Sequence, residues 1–561
     1  MVHVPPAQHR LHRPAGAERG HRRELHEHLP VPLRPRAPDG RALRGARRIL
    51  LRQEPRARRL RLAAAARRRP ARLRAGRDLE VGTLPRRRRR LVPALAVALH
   101  GGAATGPVQR HLQEPRRDPG DLPRVLVLGG SVTRLRFAAC VALLGLAAAS
   151  PAGAQTNFTT YVSVGDSLAA GFESGSLVET HQTRSVPALI ARQAGVQNFQ
   201  QPLVSEPGIP AELTLVTLVP ATLVAPKSST TGAPKNLALA RPYNNLAVPG
   251  ATTVDALTRT TDQGGLHDII LRGLGTQVQQ ASALRPTAIT LWIGNNDVLG
   301  AALRGRAVDG LTLTPTATFR TVYGQIVSAL KGTGAFIVAA NLPDVTAIPF
   351  VTTIKPYVTN PSTGVPVLVS GQRVPLLGAT GPLPSNALVT LAASSLLAQG
   401  IGIPSSLGGT GVGLPDEVVL DPTEIAVIKD HVDADNQAIK DICAAAQVPV
   451  LDVHAIVNEF ATRGRSVGGI QLTNSYLSGG VYSYDGIHPN DVGYAVLANE
   501  WIRVINAAGG SLPSVDLGAV LGVTTADTGT ARSSAARSAV AFSREAYEDL
   551  LALFPTLDGR R

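Results

Sequence analysis

Five short runs in the chain are apolar throughout or alternate apolar with small polar residues, at 161–164, 246–248, 288–293, 335–340 and 448–453. Between them the apolar positions recur at helical spacing, and the pattern predicts helices over 185–194, 276–284, 316–331, 422–446 and 490–507, the last opening on Asn490 and Asp491 as candidate caps. Strands alternating with helices of this length predict a parallel sheet covered on both faces. Right-handed crossovers then bring the carboxyl ends of the strands to one rim, where such sheets bind ligands.

Two segments break the alternation. Residues 202–243 and 346–420 are rich in Pro, Gly, Thr, Val and Leu and carry turn dipeptides such as Asn360-Pro361 and Gly381-Pro382. Insertions of that length act as lids or binding elements, or decorate the surface. Residues 509–561 are expected to form a linker and tail, with one amphipathic helix over 543–554.

Composition divides the 561 residues near position 154. Residues 1–154 hold 33 Arg, no Lys and 10 acidic side chains, a charge of +23, whereas residues 155–561 carry 24 basic and 30 acidic residues, a charge of −6. The overall basicity therefore belongs to the first quarter. Residues 1–123 show no sustained period, and the run Arg86 to Arg90 repels itself in any compact packing, so no folded domain is expected there and residues 1–131 read as disordered or as an upstream leader. A basic arm for nucleic acid is the competing reading of that segment; the reading adopted is a leader with no nucleic-acid role.

Residues 132–154 read as a secretory signal: Arg134 and Arg136 precede an apolar core over 137–149, and Ala152-Gly153-Ala154 forms a small-residue cleavage site before Gln155. Met1 is the only methionine, which suggests a true start at Val132. The core at 137–149 is too short to span a bilayer, and no membrane span is expected downstream. Past the signal only Cys443 remains, so no internal disulfide forms there.

The candidate chemistry sits at or near the ends of the apolar runs. Gly165-Asp166-Ser167-Leu168 follows the first, and a strand that ends in this way exposes the Ser167 hydroxyl at the sheet rim, while Gly165 relieves backbone crowding. Asp485-Gly486-Ile487-His488-Pro489 precedes the last helix. A hydroxyl needs a neighbouring imidazole to take its proton, and that imidazole needs an acceptor on its other nitrogen; His488 and Asp485 supply both. Gly250 follows the second run and offers an N–H unobstructed by a side chain, and Asn296 follows the third with an amide donor, both suited to an oxyanion. Each taken alone is also a turn residue. His181, His267, His431 and His454 have no comparable setting; His267-Asp268 reads as a solvated loop pair, and no metal site or cofactor is expected.

Together the Gly-Asp-Ser-Leu block, Gly250, Gly294-Asn295-Asn296-Asp297 and Asp485-x-x-His488-Pro489 resemble the GDSL esterases and lipases, or SGNH hydrolases, in that family's order over residues 157–508. The resemblance implies an α/β domain over 155–508, a three-layer α/β/α flavodoxin-like fold with a five-stranded parallel sheet and two long insertions. It implies ester hydrolysis without metal or organic cofactor, with Ser167 as nucleophile, His488 as general base, Asp485 as its orienting acid, and Gly250, Asn296 and the Ser167 N–H as the oxyanion hole. The 83-residue step from Ser167 to Gly250 and the size of 346–420 depart from the family pattern and bear on the pocket. The expected activity is that of an exported lipase-like esterase on lipid or lysophospholipid esters. The alternatives are removal of acetyl groups from carbohydrate, thioester cleavage, or a secreted binding protein on the same fold without turnover.

Overall fold

The computed structural model describes residues 156–217, 222–522 and 540–557. The Arg-rich segment at 1–131 and the signal at 132–154 lie outside them.

A parallel sheet forms from Tyr161–Gly165, Ala288–Trp292, Phe336–Ala340 and Val450–Leu451, adjacent in that order. Along each strand successive side chains point to opposite faces. Val162, Val164, Ile289, Leu291, Ile337 and Ala339 enter one apolar layer, and Tyr161, Ala288, Trp292, Val338 and Ala340 enter the other. With both faces apolar, neither tolerates water. Gln277–Ala283, Thr316–Lys331 and Pro422–Ala445 cover the first layer, and Val186–Gln193, Val453–Thr462 and Asp491–Ala507 cover the second. The result is a three-layer α/β/α domain. Ile289 is 1 % exposed; Ile289→Ala is expected to cost about 2–5 kcal/mol through lost transfer energy and the cavity left behind.

The expected fifth strand is reduced to a stub, so the sheet has four strands among the described residues and not five. Residues 245–248 do run parallel beside the first strand: Leu246 N donates to Ser163 O and Val248 N to Gly165 O. Only the Ser163–Asn245 pair forms a bridge. Pro249 has no N–H to continue the ladder, and Gly250 at φ +81° turns the chain away. Crossovers from the first strand thus leave toward opposite neighbours, 245–248 on one side and Ala288–Trp292 on the other, which opens a crevice at the carboxyl ends.

Both segments that break the alternation carry strands. In 202–243, Leu213–Thr217 pairs antiparallel with Thr222–Pro226, and Val540–Phe542 of the tail adds to the far side in parallel. In 346–420, small hairpins surround a separate apolar cluster that includes Val358, Leu376, Val389 and Leu414. The tail helix runs Arg544–Leu553, its first turn capped by Ser543. No helix among the described residues is long and apolar enough to cross a membrane. Cys443 is free and buried.

Candidate active site

The first strand ends at Gly165, where an added Cβ would stand 2.6 Å from the Trp292 carbonyl oxygen and 2.8 Å from Ala169 Cβ. Only glycine lets the neighbouring strand end approach so closely. The chain then enters a one-turn helix, Ser167–Ala170, with Asp166 as its cap. Asp166 also joins two strand ends. Its Oδ1 accepts from Leu168 N at 3.1 Å and its Oδ2 from Asn295 Nδ2 at 2.8 Å. Burial pushes the Asp166 carboxyl up to about 7, against the pull of Asn295, the Leu168 N–H and nearby His488.

Asp485 is completely buried and surrounded by donors. His488 Nδ1 lies 2.8 Å from Oδ2, which also accepts from Gly175 N at 2.8 Å; Oδ1 accepts from Ser483 Oγ at 3.0 Å, Ile487 N at 2.8 Å and His488 N at 2.9 Å. Burial alone would raise this carboxyl, but His488 and the hydrogen bonds hold it below the usual carboxylate value. Asp485 therefore fixes the imidazole by its Nδ1. His488 Nε2 is buried and has no hydrogen-bond partner among the described residues.

The loop after Ser167 is stitched to the loop that holds His488. Phe172 N donates to Ser167 O at 3.1 Å, and the Phe172 ring meets the His488 ring edge-on with centroids 4.9 Å apart. Ser174 N donates to Ser483 Oγ at 2.9 Å, and Tyr494 Oη, in the helix after His488, donates to Phe172 O. The beginning and end of the domain thus meet at the carboxyl ends of the strands. A direct Ser167–His488 hydrogen bond is not among these contacts, so the two halves of the relay are neighbours with the last link open. Apo sites commonly tighten such links only with substrate bound.

Asn296 opens the helix Asn296–Arg304, and its Nδ2 donates to Ala251 O at 2.9 Å, which ties it to the turn at Gly250. Asp297 reinforces the tie by accepting from Thr253 N and Thr253 Oγ1. Gly250 and Asn296 therefore stand on two adjoining turns of one rim.

His181 and His267 differ from their expected settings. His267 is buried in the helix Leu266–Leu271, with Nδ1 3.0 Å from Asp262 Oδ2, and is not a solvated loop residue. His181 lies among three carboxylates that sequence spacing could not reveal: Nδ1 is 3.1 Å from Asp491 Oδ1 and 3.2 Å from Glu173 Oε2, and Nε2 is 2.8 Å from Glu212 Oε1. Burial would lower the His181 pKa, but the three carboxylates prevail and push it up to about 12. Glu173, His181 and Asp491 are also the described residues whose ligand atoms lie close enough together, within 4.8 Å, to share a metal ion. Arg184 pairs with Asp491, and Lys227 with Glu212, so positive charge already surrounds the cluster.

The profile of the family described as GDSL-like Lipase/Acylhydrolase matches residues 161–501. Among solved structures, the psychrotrophic esterase EstA from Pseudoalteromonas sp. is similar at 10 % identity, covering 62 % of this chain and 98 % of its own, with a TM-score of 0.26. The lipase/acylhydrolase from Enterococcus faecalis is 14 % identical over 48 % of this chain and 77 % of its own, TM-score 0.22. The acetyl xylan esterase AlAXEase is 12 % identical over 46 % and 79 %, TM-score 0.23. No curated protein matches the chain.

Proposed function

Because this chain belongs to the GDSL-like lipase/acylhydrolase family and is a hydrolase of ester bonds, we propose that Ser167, His488 and Asp485 perform its chemistry through an acyl-enzyme. Ser167 Oγ bonds to the ester carbonyl carbon while its proton passes to His488 Nε2. The resulting oxyanion is held by the Ser167 N–H, the Gly250 N–H and the Asn296 amide. Collapse breaks the bond to the alcohol, which leaves with the proton from His488. Water then adds to the acyl carbon by the same route, giving the acid and restoring Ser167.

The observation that carries this reading is the Asp485–His488 contact of 2.8 Å, with the opposite imidazole nitrogen buried and without a hydrogen-bond partner among the described residues. An imidazole fixed through Nδ1 in this way is set to take a proton at Nε2. The proposed substrates are lipid or lysophospholipid esters, since the Phe172 ring lies edge-on against the His488 ring and gives the reacting centre an apolar wall. Export through the signal at 132–154 belongs to the same proposal.

Rates on p-nitrophenyl esters from acetyl to palmitoyl test the substrate class. Activity that rises with chain length supports it, and activity confined to acetate favours carbohydrate deacetylation instead. Sequencing the amino terminus of the secreted protein tests export: a first residue near Gln155 is expected, and recovery of the Arg-rich segment contradicts it.

A further inference from the structure

The carboxyl-terminal segment lies over the proposed catalytic centre. Phe554 stacks on the His488 ring with centroids 6.2 Å apart and planes 23° apart, on an imidazole that already carries Phe172. The Leu553 carbonyl oxygen reaches the Gly250 turn so closely that a Cβ on Gly250 would stand 2.3 Å from it. A main-chain carbonyl of the tail therefore occupies the neighbourhood where the carbonyl of an ester must dock. Phe554, Pro555, Thr556 and Leu557 complete the wall of the crevice beside Asn296. Ser167, His488 and Asn296 are left 2 %, 1 % and 5 % exposed, too little for an ester to reach them from solvent.

The segment is anchored at several points and not merely draped across the rim. Val540–Phe542 extends the sheet of the first insertion, and Phe542 N donates to Ser394 Oγ at 2.7 Å. Tyr547 Oη donates to Leu303 O, Arg304 Nη2 to Phe554 O at 2.8 Å, and Leu557 N to Leu311 O at 2.9 Å. Leu303 and Arg304 end the helix that begins at Asn296, so one helix carries both a proposed oxyanion donor and the tail's tether. The anchors nearest the site, at 553–557, are a few hydrogen bonds and one ring stack, and these are individually small.

We infer that residues 543–557 are an autoinhibitory plug, with the Leu553 carbonyl and the Phe554 ring in the space of the ester, and that turnover requires this segment to leave. The inference rests on the reading of Ser167 and His488 as nucleophile and base. A protein whose competent state is a minor population shows its activity reduced to that fraction of the full value. Loosening the plug therefore raises the reactivity of Ser167 without any change in the catalytic groups.

The test is the rate at which diethyl p-nitrophenyl phosphate labels Ser167 in the full chain, followed by p-nitrophenol release and by mass. Phe554→Ala removes the ring stack, and Arg304→Gln releases the Phe554 carbonyl; each is expected to label faster than the wild type, by up to about tenfold if the open state is a tenth of the population. In the wild type, hydrogen exchange is expected to show residues 543–557 losing protection once Ser167 carries the phosphoryl group. Labelling of wild type and folded variants at one rate, with protection of 543–557 unchanged in the adduct, overturns the plug while leaving the hydrolase chemistry intact. No labelling of Ser167 in any of the proteins overturns the nucleophile assignment and the plug with it.

Discussion

His488 and His181 both stand against buried or half-buried carboxylates within the same pair of stitched loops, yet they are wired in opposite ways. His488 gives Nδ1 to Asp485, and its Nε2 has no hydrogen-bond partner among the described residues. His181 places Nδ1 between Glu173 and Asp491 and Nε2 against Glu212, so no nitrogen is left over. A general base needs a nitrogen able to accept a proton, whereas His181, its pKa pushed up to about 12 by the three carboxylates, already holds a proton on each nitrogen at neutral pH and serves to join segments. His181 joins the loop after Ser167, the start of the first insertion and the helix after His488. The first arrangement suits chemistry, the second holds the chemistry in place.

The contrast sets an order of expected effects. His488→Ala is expected to lower kcat on a p-nitrophenyl ester by about 10⁶, with the fold retained by circular dichroism; a loss of less than tenfold would remove His488 from the proton-carrying role. Asp485→Asn keeps the shape but gives Nδ1 an amide in place of a carboxylate, and about 10⁴ in kcat is expected to go. An unchanged kcat there would mean that the five hydrogen bonds onto Asp485 serve only the loop.

His181→Gln is expected to act on stability and barely on kcat. Because the His181 pKa is raised to about 12, the folded state holds a proton that the unfolded chain releases near 6.5. Its stabilisation is complete below about pH 6.5 and is lost as pH climbs toward about 12. The variant is expected to melt at a lower temperature at neutral pH and to lose less stability on the alkaline side; thermal melts from pH 6 to 10 measure both. A large fall in kcat with an unchanged melting curve would erase the distinction between the two histidines.

Asp166→Asn is expected to have the smallest effect. With the carboxyl raised to about 7, the folded state keeps a proton that the unfolded chain loses near 4, so stability falls as pH rises between those values. Asparagine removes that slope, and denaturant melts at pH 4 and pH 7 differ less in the variant than in the wild type.

Much of the fold was legible because its signals are local. The helices expected over 185–194, 276–284, 316–331, 422–446 and 490–507 are found as Val186–Gln193, Gln277–Ala283, Thr316–Lys331, Pro422–Ala445 and Asp491–Ala507. The stub at 245–248 shows where a local signal fails: its apolar run is sound, but Pro249 removes the donor that pairing needs. Asp485 and His488 were readable from a spacing of three along one loop. Asp166 was readable only in part, because its bond to Asn295 crosses between strand ends 129 residues apart. The carboxylates around His181 and the seat of Phe554 on His488 were not readable, since each joins positions far apart that no periodicity connects.

The central claim is that Ser167 and His488 act as one unit, and comparing Ser167→Ala, His488→Ala and the double variant on one p-nitrophenyl ester tests it most directly. Residues that share a single proton transfer are not additive, so the double variant is predicted to be no slower than either single one. Losses that multiply, or a Ser167→Ala enzyme that keeps the wild-type rate, would contradict the account.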